Sequence, residues 1–240
     1  MRQFLSIVAA ACIFAPGLEY PAAQQPPKPV IISDAAAEHI RNLDAVKKEL
    51  RDYHDCTCTC GCYAHDLDAM ADRAIAFLRQ RAAHRKPNEK LALILDIDDT
   101  TLSTYQEMLG ANFAYNAPYF HAWLETAQAP AIPGTLRLYK EAQRLGVSIF
   151  FISGRKDPSE RAATEQNLRA QGFDNWQKLY MLPDEHGSET IGAFKEVTRG
   201  QIAAQGYTLA LNVGDQWSDL KGKPEAEVSV KYPDPYYFIP

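Results

Sequence analysis

The residues able to do chemistry in this 240-residue chain gather where apolar runs stop, beginning with Asp96, Asp98 and Asp99. They follow Leu91–Leu95 in the stretch Leu91–Tyr105, LALILDIDDTTLSTY. Residues two apart in an extended segment share a side, so Asp96 and Asp98 face one way and Ile97 turns into a core. Two carboxylates converging on one cavity repel unless a cation joins them, and hard oxygen ligands suit Mg²⁺. With such a metal, Asp96 is placed to attack phosphorus and Asp98 to move protons. The competing reading is a solvated acidic turn that caps the next helix. Asp99 falls on the side opposite Asp98 and reads as structural.

Two further apolar runs end in groups that complement these acids. Val147–Ile152 (VSIFFI) leads into Ser153-Gly154-Arg155, and Thr208–Val213 into Gly214-Asp215-Gln216-Trp217-Ser218-Asp219. Together they describe a site for a dianion bridged by a metal, with Asp96, Asp98, Asp215 and Asp219 for Mg²⁺. Ser153 and Lys195 suit phosphate oxygens. Phosphoryl transfer needs these elements, because its transition state is stabilised mainly by positioning and charge neutralisation. Lys195 judged alone reads as an ordinary surface lysine on its helix.

The elements that must position these groups follow from the same pattern. A short apolar run without alternation reads as a strand buried on both faces, and a lone carboxylate cannot continue it. Strands are expected at Leu91–Leu95, Val147–Ile152, Leu179–Leu182, Thr208–Val213 and Val228–Val230. Helices fall between them: Thr135–Leu145 stopped by Gly146, one opened by Asp157, Pro158 and Glu160 as cap, first-turn proline and capping-box acid, and one from Ile191 to Gly206. Alternating strands and helices predict an α/β, Rossmann-like fold: a mostly parallel sheet with helices on both faces. Ligands bind such sheets at the carboxyl ends of the strands. An insert over about 105–132 carries Tyr105, Phe113, Tyr115, Tyr119, Phe120 and Trp123, which form a small core or line a substrate mouth.

Ahead of this core region, 87–240, the chain reads as three pieces. Residues 1–23 look like a signal peptide, with Arg2, the apolar run Phe4–Ala15 and cleavage near Ala23. A lipid-modified Cys12 is the alternative anchor. Residues 24–33 form a proline-rich linker, QQPPKP at its start. Residues 34–86 read as a helical hairpin, the first helix capped by Ser33 or Asp34 and marked by Ile40, Leu43, Val46, Leu50 and Tyr53. The second runs from about Asp66 to Pro87. Its turn carries His54, Cys56, Cys58, Cys60, Cys62 and His65, and disulfides, a metal held with His54 or His65, and free thiols all remain open.

Composition bounds the partners. A net charge of -5 and no basic stripe argue against nucleic acid. No apolar stretch of about 20 residues predicts a transmembrane span.

DIDDT at Asp96–Thr100, SGR at Ser153–Arg155, Lys195, and GDQWSD at Gly214–Asp219 together resemble the four motifs of the haloacid dehalogenase (HAD) superfamily. Within it the chain resembles the acid phosphatases that include bacterial class C enzymes and plant vegetative-storage-protein relatives, over roughly residues 34–240. The resemblance implies an exported, Mg²⁺-dependent phosphatase acting on small phosphomonoesters. Asp96 would be the nucleophile, forming an aspartyl-phosphate, and Asp98 the acid and then the base. Mg²⁺ would be held by Asp96, Asp215 and the backbone carbonyl of Asp98, with Asp219 a water-mediated ligand or an orienting group. Ser153 and Lys195 would bind the phosphoryl group, alongside Thr100 and Gly154. Two rivals are a receiver domain, which lacks the acid two residues after its phosphorylated aspartate, and a non-catalytic storage or binding protein on this fold. The Cys56–Cys62 run departs from the family pattern.

Overall fold

The computed structural model of the chain describes residues 41–58 and 62–239. The leader with Cys12, the linker, Ser33, Asp34 and Cys60 lie outside the described residues.

The apolar run before Asp96 forms β1 (Lys90–Leu95), buried from Leu91 onward. It is the middle strand of a five-stranded sheet ordered β3-β2-β1-β4-β5, with β2 (Ser148–Asp157), β3 (Lys178–Pro183), β4 (Tyr207–Gly214) and β5 (Val228–Lys231). Every pairing is parallel, and Leu95 lies beside Phe151 on one side and Val213 on the other. The chain winds outward from β1 to β3, then returns to build β4 and β5 on the other side. That reversal opens a crevice at the carboxyl ends of β1 and β4, where such sheets bind ligands.

The described helices are α1 (Leu43–Asp55), α2 (Tyr63–Ala83), α3 (Tyr105–Gly110), α4 (Ala117–Glu125), α5 (Pro133–Arg144), α6 (Arg161–Ala170), α7 (Ile191–Ala204) and α8 (Trp217–Leu220). Successive residues of β1 serve opposite faces of the sheet. Leu91, Leu93 and Leu95 join the larger core with Leu78 of α2, Leu138 of α5 and Leu168 of α6. Ala92 and Ile94 join the smaller one with Ile202 of α7. Cover on both faces is why the sequence shows an unbroken apolar run rather than an alternating one.

The two helices of the expected hairpin differ. α2 buries Leu67, Ala71, Ala74 and Leu78 along one stripe and lies against α5, so close that a Cβ on Gly134 would sit 2.8 Å from Ala71 Cβ. Truncating the fully buried Leu78 to Ala costs about 3 kcal/mol by the usual cavity scale. Arg81 ties the far end of α2 to the sheet, its guanidinium reaching Glu89 at 2.5 Å and Glu227 at 2.6 Å. α1 buries no residue fully, and its Leu43 is exposed. Asn42 caps it, accepting from the backbone N–H groups of Asp44 and Ala45.

Two local expectations change. β2 does not stop at Ile152 but runs through Ser153-Gly154-Arg155 to Asp157, with its pairing to β3 displaced between Ser153 and Lys156. A displacement of this kind re-aims side chains at a strand end. The capping box at Asp157–Glu160 is absent, and α6 starts at Arg161. Both acids are engaged elsewhere: Asp157 holds the Arg161 guanidinium at 2.8 Å, and Glu160 accepts from the Lys156 backbone N–H at 2.6 Å.

At the hairpin turn Cys58 is disulfide-bonded, while Cys56 and Cys62 are free thiols. Cys62 is buried at the start of α2, and its thiol donates to the Cys58 carbonyl at 2.7 Å. Disulfide pairing throughout the run therefore does not hold.

Candidate active site

Beyond Leu95 the chain folds tightly on itself: the N–H groups of Thr101 and Leu102 both donate to the Ile97 carbonyl at 2.8 Å. Ile97 is buried in the core, as the two-residue period requires. Asp99 takes a left-handed backbone, φ +52°, and turns its carboxylate onto the Thr104 N–H (2.9 Å) and hydroxyl. It is structural. Asp96 and Asp98 line a cavity of about 530 Å³ at the carboxyl edge of the sheet.

Lys195 is no surface lysine. It is 3% exposed on α7, and its ammonium bridges Asp96 and, at 2.6 Å, Asp219. Burial pulls its pKa down, but the charges of Asp219 and Asp96 outweigh that and hold it above the ordinary lysine value. Burial pushes the Asp96 carboxyl up to about 7, with Lys195 opposing and the Asp219 and Asp98 charges assisting.

The turn after β4 presents the other two acids. Asp219 caps α8 through Oδ2, which accepts the Gln216 N–H at 2.8 Å, leaving Oδ1 for Lys195. Its backbone carbonyl is held by Asn212 Nδ2 at 2.9 Å and Arg199 Nη1 at 2.8 Å. Gly214 is required here, because a Cβ would run into the Asp219 carboxylate. Asp215 accepts from the Thr100 hydroxyl and Gln216 Nε2, both at 2.8 Å, and from the Tyr237 hydroxyl at 3.2 Å. Burial raises its pKa well above the ordinary carboxyl value, and the charges of Asp219 and Asp96 add to the shift.

Carboxylate oxygens of Asp96, Asp215 and Asp219, all buried, lie within 4.8 Å of one another. Such a set is unstable as bare anions and offers only hard oxygen donors, so its chemistry fits a divalent cation such as Mg²⁺. The carboxylate of Asp98 is outside this group.

Asp98 is held instead by Arg155, a residue for which sequence reasoning had no role although it stood in the SGR triplet. Arg155 is buried, and its Nη1 also donates to Thr164 Oγ1 at 3.2 Å. Of the other expected residues, Gly154 lines the cavity, packed on Ile191. Ser153 and Thr100 do not line it. Ser153 Oγ lies beneath, accepting from the Arg155 N–H at 3.1 Å, and Thr100 serves Asp215.

The walls come from two places. The insert supplies Glu107, Phe113, Tyr115 and Phe120, so its aromatics both line the cavity and, through Tyr105, join the core. The segment after β5 supplies Tyr236 and Tyr237, locked down where Ile239 N–H donates to Gln216 Oε1 at 3.0 Å. Nothing in the segment's own sequence, KYPDPYYFIP, marks it for the cavity. Its return to the cavity depends on tertiary course, which no local signal carries.

A parallel α/β sheet with aspartates at the carboxyl ends of adjacent central strands is the arrangement of a HAD-like hydrolase. The chain belongs to subfamily IIIB of the HAD superfamily, the acid phosphatases, whose family model matches residues 30–240. Acid phosphatase 1 of Solanum lycopersicum is 32% identical over 181 residues, 74% of this chain and 69% of that protein. Vegetative storage protein 1 of Arabidopsis thaliana is 32% identical over 209 residues, 84% of this chain and 75% of that one. Among solved structures, the class C acid phosphatase from Bacillus anthracis with tungstate bound shares the fold, with a TM-score of 0.66 at 19% identity over 82% of this chain and 86% of that one. The family makes the protein a phosphomonoesterase.

Proposed function

We propose that the protein hydrolyses small phosphomonoesters through an aspartyl-phosphate on Asp96. The observation that carries this is the buried Asp96 at the end of β1, facing a cavity with Lys195 against it. A carboxylate oxygen of Asp96 attacks phosphorus and the ester oxygen leaves, taking a proton from Asp98. Asp98 then removes a proton from the water that cleaves the acyl-phosphate, returning Asp96 and free phosphate. Arg155 orients Asp98 through both steps. Lys195 passes from neutralising Asp96 to donating to a phosphoryl oxygen, and Asp219 keeps its ammonium in place. Ser153 acts on the phosphoryl group by fixing the Arg155 backbone or by rotating its hydroxyl, and Gly154 leaves room for the group.

Asp96, Asp215 and Asp219, with the Asp98 backbone carbonyl, would hold Mg²⁺. Bound there, the metal supplies positive charge that lets a phosphate dianion approach carboxylates. Thr100 and Tyr237 fix the Asp215 carboxylate for that role.

We read the chain as exported, on the strength of its leader-like first 23 residues, with a Cys12 lipid anchor as the variant. Relatives named stem glycoproteins in Glycine max support this reading. No helix among the described residues is long and apolar enough to cross a membrane. The domain division at residues 34 and 87 stays part of the same proposal. A storage role is disfavoured because Asp96 and its partners are all present. Release of inorganic phosphate from a panel of phosphomonoesters, with and without EDTA, tests the reading; no release with Mg²⁺ present overturns it.

A further inference from the structure

Glu107 is a cavity group that the phosphatase chemistry does not use. It sits on α3 and is 2% exposed, yet its Oε1 has no hydrogen-bond partner. A buried carboxylate costs several kcal/mol unless it is paired. The other carboxylates of the cavity have partners: Asp96 and Asp219 in Lys195, Asp98 in Arg155, Asp215 in Thr100, and Glu160 in the Lys156 N–H, its second oxygen lying against the His121 ring without a hydrogen bond. What is missing at Glu107 is a partner, and the cavity's surplus of carboxylates over Arg155, Lys156 and Lys195 makes a positive charge the best one.

The surroundings narrow the kind of cation. Phe113 and Tyr236 form one ring pair on the cavity wall, centroids 6.1 Å apart, and Tyr115 and Phe120 another at 6.2 Å. Aromatic faces attract cations through their quadrupole, and a wall of rings in a cavity that also holds a carboxylate suits an alkylammonium better than a hydrated metal ion. We propose that the cavity takes phosphate esters of amino alcohols, the phosphate at Asp96 and the ammonium group between Glu107 and the aromatic wall. This rests on the phosphatase reading for the phosphate end only. A zwitterionic substrate also offsets the surplus of carboxylates that a plain phosphate dianion would worsen.

The test compares choline phosphate with its neutral carbon isostere, 3,3-dimethylbutyl phosphate. Wild-type protein is expected to favour choline phosphate about tenfold in kcat/KM, the scale of a desolvated cation contact. The conservative Glu107→Gln variant should bring that ratio near one, and Phe120→Leu should lower it. Calorimetric titration of the Asp96→Asn variant with both compounds reads the same preference without turnover. Equal handling of the two compounds by wild-type protein overturns the proposal. So does an unchanged ratio in Glu107→Gln, or a preference for adenosine monophosphate that Glu107→Gln leaves intact. Preferential binding of choline phosphate by protein that hydrolyses no phosphomonoester upholds the ammonium site and overturns the phosphatase reading instead.

Discussion

Arg155 grips Asp98 by two nitrogens: Nη2 lies 2.7 Å from Oδ1, and Nε lies 3.2 and 3.1 Å from Oδ1 and Oδ2. The arginine side chain is 1% exposed and the aspartate 20%, so water competes little for the guanidinium while the carboxylate still faces the cavity. A planar fork of this kind fixes the carboxyl group in orientation.

Arg155→Lys keeps the charge and loses the fork. It should lower kcat by about tenfold to a hundredfold with a smaller effect on KM, since orientation of the proton-transfer group matters most in the transition state. Steady-state rates on phenyl phosphate decide it. An unchanged kcat would remove Arg155 from the positioning of Asp98.

Asp96→Asn should fold and lose turnover, because an amide does not attack phosphorus. Asp98→Asn should lose about 10²–10⁴ in rate, the usual share of general acid–base catalysis. Acid-quenched Asp98→Asn protein, digested and mapped by mass spectrometry, should carry phosphate on Asp96 if it carries any. Phosphate found on another residue would sink the nucleophile assignment.

Mg²⁺ should raise the thermal midpoint of the wild-type protein. Saturation at about a hundred times Kd corresponds to about 2.7 kcal/mol. Asp215→Asn should need more metal for the same rise, having lost a charged oxygen ligand from the buried trio. Calorimetric scans across a Mg²⁺ series check this, and identical curves for the two proteins contradict it.

Stability should also respond to acid through Glu89. Hydrogen bonds from Arg81 and from the Lys86 N–H lower its pKa from 4.5 to about 2. A depressed folded-state value stabilises the protein above the unfolded value, and that contribution fades as pH falls from about 4.5 toward 2. Glu89→Gln should therefore flatten the decline in melting temperature over that window. A variant that loses stability with acid as steeply as wild type would show the ion pair to be inert.

Some of this was legible in the chain and some was not. β1 and β4 announced themselves because a strand covered on both faces must be apolar throughout, and a carboxylate must end it. Lys195 was legible only by its place among the motifs, since nothing in its own helix distinguishes it from a solvated lysine. Ser153-Gly154-Arg155 was placed after its strand rather than within it, because a shifted register leaves no mark in composition. Glu107 and Tyr237 had no signal at all: one is a single acid in an amphipathic turn, and the other depends on where the segment after β5 crosses the sheet.

The sheet order has a bearing on how the protein is made. β1 is among the earliest strands to leave the ribosome, yet Lys90 pairs with Tyr207, and Thr100 meets Asp215 across 115 positions of sequence. Contacts of such long range form late and slowly. Until β4 has been synthesised, Asp96 has neither Asp215 nor Asp219 beside it, and its crevice lacks a wall. On the proposed mechanism, the site of a nascent chain stays incomplete until β4 and the turn carrying Asp215 and Asp219 have been made.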